Sequence, residues 1–102
     1  MKKNTVQMQT KIDAARDCLD AAYFLSLGED VFSAMIAGRV VVWRTGGMTK
    51  ELAVDANNDW SYRDQADVHV TVFMADGQVM SGRGYGSTVV DAVASYLAAW
   101  IL

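Results

Sequence analysis

Residues 67–102 read DVHVTVFMADGQVMSGRGYGSTVVDAVASYLAAWIL. Val68, Val70, Val72 and Met74 alternate with His69, Thr71 and Phe73, the period of a half-buried strand. Asp76-Gly77 is a hairpin turn pair, and QVMSGRGYG supplies the returning strand. A glycine-rich corner then opens a helix, with Ser87 as the expected N-cap and Val89, Val93, Tyr96, Leu97 and Trp100 along one face. The valines and Met74 are expected to face helices, and His69, Thr71 and Phe73 to face away.

Upstream, a helix is expected to begin near Thr5 or Thr10, where Thr10-x-x-Asp13 resembles a capping box, and to stop at Gly28. Met8, Ile12, Ala15, Leu19, Ala22 and Tyr23 share its apolar face, with Cys18 beside that stripe. Val31, Phe32, Met35 and Ile36 have helical spacing, which predicts a short helix over Glu29–Ala37. RVVVWRT, Gly46-Gly47 and MTKELAV read as a hairpin across residues 39–54. The Asn- and Asp-rich stretch DANNDWSYRDQA, 55–66, reads as a loop. The order is α-α-β-β-β-β-α. The fold class is α+β, a single domain over 1–102 with a four-stranded antiparallel sheet and its N- and C-terminal helices on one face. The other sheet face is left open, a surface on which a partner or a second copy could sit.

Composition narrows the setting. The chain has 102 residues, a net charge of −3 and one cysteine, Cys18, so no internal disulfide forms and a reducing cytoplasm is expected. MKKNTVQMQT lacks the apolar run of a signal peptide, and no stretch has the length and apolarity of a membrane span. An acidic chain has no general electrostatic reason to bind a phosphate backbone.

Specific chemistry is sparse. The corner Gly82-Arg83-Gly84-Tyr85-Gly86-Ser87 precedes a helix N-terminus, where amides can hold an anion, but it is neither a P-loop nor a dinucleotide fingerprint. Its glycines better suit a bulge and a tight strand-to-helix corner. Asp55-x-Asn57-x-Asp59 matches the start of a calcium loop, but Trp60 stands at the loop glycine and Ala66 at the bidentate glutamate. His69 and Cys18 lack the third member of a nucleophilic set. No metal, cofactor or catalytic residue is therefore expected, and the chain reads as a non-enzyme. The remaining candidate is the segment from Asp55 to Asp76, in which five aspartates face one cation, Arg63. Asp55, Asp59, Asp64 and Asp67 could mimic a series of phosphates toward a basic groove, with Trp60 and Tyr62 as anchors.

Two resemblances add to this. The hairpin VTVFMADGQVMSGRG, the corner GYGS and the helix carrying Ala92, Ala94, Leu97 and Ala98 resemble the C-terminal part of a double-stranded-RNA-binding domain. That family grips RNA with basic residues at the start of this helix. Here Ser87, Thr88, Val89, Val90 and Asp91 occupy those positions, so the resemblance implies the fold rather than the RNA contact. In size, acidity and lack of catalytic motifs, the whole chain resembles the small proteins of phages and mobile elements, anti-CRISPR proteins foremost. This resemblance implies a non-enzymatic inhibitor or adaptor in the host cytoplasm. It would bind a defence nucleoprotein complex and block nucleic-acid access or nuclease recruitment. The alternatives are a nucleic-acid-binding module using Arg39, Arg44, Lys50 and Arg83 to Ser87, and a structural phage subunit that dimerises through its open sheet.

Overall fold

The computed structural model describes residues 2–54 and 56–102, and the side chains of these apart from 2–6, 51 and 53. In chain order the elements are α1 (Lys2–Ala21), β1 (Leu25–Ser26), β2 (Val31–Ile36), β3 (Arg39–Val54), β4 (Trp60–Phe73), β5 (Val79–Gly86) and α2 (Val89–Trp100). The strands form one antiparallel meander in the order β1-β2-β3-β4-β5, so the class is α+β with five strands rather than four.

Alternation along β4 decides which face is covered. Val68, Val70 and Val72 are fully buried with Val41 and Trp43 of β3, Ala34 and Ile36 of β2, Ala15 and Leu19 of α1, and Leu97 and Val93 of α2. Burial of each valine is worth roughly 1.5–3 kcal/mol. Met74 packs against the same cluster, while His69 and Phe73 are exposed on the opposite face, as their alternation predicts.

Helix α2 lies close on β5 because β5 has no side chains in the way. A Cβ at Gly84 would overlap the carbonyl oxygen of Ala92, and one at Gly86 would come within 2.7 Å of the Ala92 nitrogen. The corner is therefore built for backbone approach. The helix caps on Thr88, one residue later than expected, because the Thr88 Oγ1 accepts the Asp91 N–H at 3.1 Å. Ser87 instead donates its hydroxyl to the Asp91 Oδ2 at 2.9 Å, and Arg16 of α1 pairs with Oδ1, which links the two helices. Burial alone would raise the Asp91 carboxyl; hydrogen bonding with Ser87 and Thr88 and the Arg16 charge outweigh it and hold it below its ordinary value. Val93, Tyr96 and Leu97 of α2 are buried as expected, joined by Ala92, Ala94 and Ala98, whereas Trp100 at the end of the helix is exposed.

Other expectations are corrected. Helix α1 ends at Ala21, well before Gly28, because Phe24 turns back edge-on to Trp43 at 5.0 Å between ring centroids. Met8, Cys18 and Tyr23 are exposed. Residues 31–36 form a strand, not a helix, with Phe32 stacked on its cross-strand neighbour Trp43. Ala37 and Gly38, both at positive φ, make the two-residue turn into β3. Gly46-Gly47 is not a turn. The register moves from Thr45↔Val68 to Met48↔Ala66, so β3 carries one extra residue there, a bulge with Gly47 at φ +93°. The strand runs on, the turn falls after Val54, and Trp60 to Ala66 are strand rather than loop. Asp76-Gly77 turns as expected, with Gly77 donating to the Met74 carbonyl at 3.1 Å.

Three substitutions separate in thermal melts. Gly84→Ala loses about 3 kcal/mol or more, because helix α2 must lift. Gly28→Ala, whose Cβ meets nothing within 4 Å, stays within about 0.5 kcal/mol. Asp91→Asn costs about 1 kcal/mol at neutral pH. The folded pKa of Asp91 lies below the unfolded one, so its contribution is full above about pH 4. The gap between wild type and Asp91→Asn therefore closes as pH falls through the folded value.

Candidate protein-docking site

Beyond Thr45 on β3 and Ala66 on β4, the two strands pair only with each other, since β2 stops at Val31↔Arg44 and β5 at Ala66↔Gly86. Residues 48–54 and 60–65 thus form a two-stranded arm beyond the helix-covered body. Side chains continue the alternation of Ala66, which faces the helices. On that side lie the directly opposite pairs Lys50–Asp64, Leu52–Tyr62 and Val54–Trp60, with Met48 at the base. Thr49, Ser61, Arg63 and Gln65 take the other side, where Thr49 donates to the Gln65 carbonyl at 3.3 Å.

The helix-side face of the arm is apolar and uncovered. Met48, Leu52, Val54, Trp60 and Tyr62 are between 47% and 70% exposed. One ion pair crosses it, the Lys50 Nζ to the Asp64 Oδ1 at 2.6 Å. Both partners are well solvated, so the pair adds little stability and leaves a near-neutral stripe between apolar rows. At the foot of the arm, Leu19, Phe24, Phe32, Trp43, Thr45, Val89, Val90 and Val93 line an apolar recess of about 270 Å³. Thr45 is its one polar lining residue, too few polar groups to orient a small molecule.

The expected contact residues divide. Trp60, Tyr62 and Asp64 share the arm's apolar face, and Asp59 sits in the turn just before Trp60. Asp55 lies outside the described residues, and with it part of the calcium-loop reading. Asp67 is elsewhere: it belongs to the open face of the sheet, where the Arg83 Nη1 donates to its Oδ2 at 2.9 Å. The aspartates therefore do not form one acidic surface. Leu52, Val54 and Met48 were not expected as contact residues. Their signal is visible only once MTKELAV and WSYRDQA are aligned as partner strands.

The four cations also divide. Arg44 and Arg83 share the open face with His69, lying directly opposite one another across β3, β4 and β5. Lys50 is on the arm, and Arg39 caps the Ala37 carbonyl at 3.3 Å. Among the described residues no group of three His, Cys, Asp or Glu could hold a metal ion, and no helix is long and apolar enough to cross a membrane. No protein-family model, curated protein or solved structure matches the chain.

Among the described residues none of 48–65 belongs to the buried core, so the body should fold without the arm. Replacing residues 50–64 by Asn-Gly closes the opposed pair Thr49↔Gln65 with a two-residue turn. This shortened variant should melt within about 5 °C of wild type, a change of about 1 kcal/mol or less for a chain of this size.

Proposed function

We propose that this protein is a non-enzymatic inhibitor or adaptor that acts by docking its β3–β4 arm on another protein or nucleoprotein complex. The mode of action would be that of the anti-CRISPR-type proteins of mobile elements. One observation carries the reading: five large apolar side chains, two of them Trp60 and Tyr62, are exposed on one face of a projecting arm. Their exposed area is roughly 600 Å², against about 800 Å² per partner in a standard interface. A lone two-stranded ribbon is marginal in water, so a surface that covers it also stabilises it. Trp and Tyr are the commonest binding anchors. Asp59 and Asp64 border the apolar rows and would meet lysines or arginines at the rim of a basic groove. Such contacts steer association more than they tighten it.

The test is capture of partners from a bacterial lysate on the immobilised protein, with and without nuclease, followed by binding measurements on the protein recovered. Trp60→Ser with Tyr62→Ser should weaken binding by about 100-fold or more, as loss of two anchors does. Asp59→Lys with Asp64→Lys should slow association about tenfold and flatten its salt dependence. A partner held equally well by the arm-shortened variant would rule the reading out.

A further inference from the structure

We infer that the uncovered face of the sheet is a second docking site, independent of the arm, and that its occupant is an acidic amphipathic helix of a partner protein. The strand register sorts this face into three rows. Met35, Val40, Phe73 and Val79 lie directly opposite one another on β2, β3, β4 and β5, and all are exposed. Two pairs further along come Val31, Arg44, His69 and Arg83. Between them run Ser33, Val42, Thr71 and Ser81, smaller side chains of which the first three are buried or half-buried. The face is thus a shallow trough with one apolar wall and one cationic wall.

The cationic wall is the unusual part. Arg44 and Arg83 flank His69 across three strands, so two guanidiniums stand on one row of this face. Among the described residues, Asp67 is the one carboxylate paired within this row, through Arg83. Arg44 and His69 have no ion-pair partner there. A chain of net charge −3 thus presents Arg44 and Arg83 together on this face, where an incoming carboxylate series would find partners.

Dimensions favour a helix. The two walls are four residues apart along β4, about 13 Å, close to the 10–12 Å diameter of a helix with its side chains. From β2 to β5 the trough spans about 14 Å, some ten residues of helix lying across the strands. An apolar stripe would meet Phe73 and its neighbours while Asp or Glu on one flank reached Arg44 and Arg83. A single-stranded nucleic acid fits less well, because the apolar wall is mainly aliphatic and bases need aromatic platforms. A second copy fits less well too. Placing two such faces together sets cations against cations, or cations against the apolar wall, depending on the direction of the two-fold axis.

The experiment is a selection of displayed random 16-residue peptides on the immobilised full chain. Enriched sequences are then synthesised and measured by fluorescence anisotropy and by amide shift changes. The expected peptides carry apolar residues at i, i+4 and i+7 with Asp or Glu on one flank, and they shift β2–β5 amides on the open face. Arg44→Glu and Phe73→Ser, both at exposed positions and checked for an unchanged melt, should each weaken them tenfold or more. The arm-shortened variant should bind them as wild type does, so this result stands or falls apart from the arm. The inference is overturned by no enrichment, enrichment of basic peptides, affinity indifferent to Arg44→Glu, or self-association abolished by Phe73→Ser. Tighter saturable binding of oligo-dT or of phosphatidylserine vesicles than of any selected peptide would overturn it in favour of those occupants.

Discussion

The backbone-to-backbone seat of α2 on β5 is the contact from which the rest of the architecture follows. With Gly84 and Gly86 under Ala92, the helix sits lower on the sheet than any side chain would permit. That depth lets small residues, Ala92, Ala94 and Ala98, complete the core alongside the β4 valines. It also spends the chain's last long apolar element on one face. Helix α1 is tied to the same side by the Arg16–Asp91 pair and by Leu19. Among the described residues no helix covers the other face, where Phe73 and Met35 are exposed.

The second constraint is the bulge at Gly46-Gly47. A bulge increases local twist and bends its strand. Here it marks the line where the body ends and the arm begins, opposite the last pair that β4 makes with β5. It also resets the alternation of β3, so that Met48, Leu52 and Val54 fall on the same face as Trp60 and Tyr62. Without the extra residue, the apolar side chains of the two strands would alternate sides and no continuous apolar stripe would exist. The bulge therefore produces the candidate site as well as the shape of the arm.

The sequence made the C-terminal third legible because each of its signals had one meaning. Val68, Val70 and Val72 alternate cleanly, Asp76-Gly77 is a strong turn, and the corner leads into an uninterrupted helix. Elsewhere one signal served two structures. Glycines at positive φ are equally at home in a turn and in a bulge, and Gly46-Gly47 was the second. Val31, Phe32, Met35 and Ile36 satisfy helical spacing, yet in a strand they simply divide between two faces that each need apolar residues. Ala37 hid a real two-residue turn because alanine rarely adopts positive φ. The loop reading of WSYRDQA failed for a related cause: an arm that faces water on both sides is polar enough to look like a loop. The candidate site was visible as Trp60, Tyr62 and their aspartates. Its other half, on β3, was not, because cross-strand partners are set by register rather than by proximity in sequence.

Charge is where composition misleads most. A net charge of −3 describes the whole chain, whereas binding depends on which charges share a face. Asp64 is matched by Lys50 and Asp67 by Arg83, so two of the five aspartates that dominate the sequence run are paired within the fold. The solvated side of α1, with Asp13, Asp17 and Asp20 exposed, carries much of the remaining acidity. The open face holds Arg44, His69 and Arg83 in one row. An acidic protein thus presents a near-neutral apolar arm on one side and a basic strip on the other. The local charge is consequently a property of orientation: carboxylates along α1, Arg44 and Arg83 on the open sheet. The near-neutral apolar face of the arm and the sheet face carrying Arg44 and Arg83 point to opposite sides, so neither needs the other to be covered.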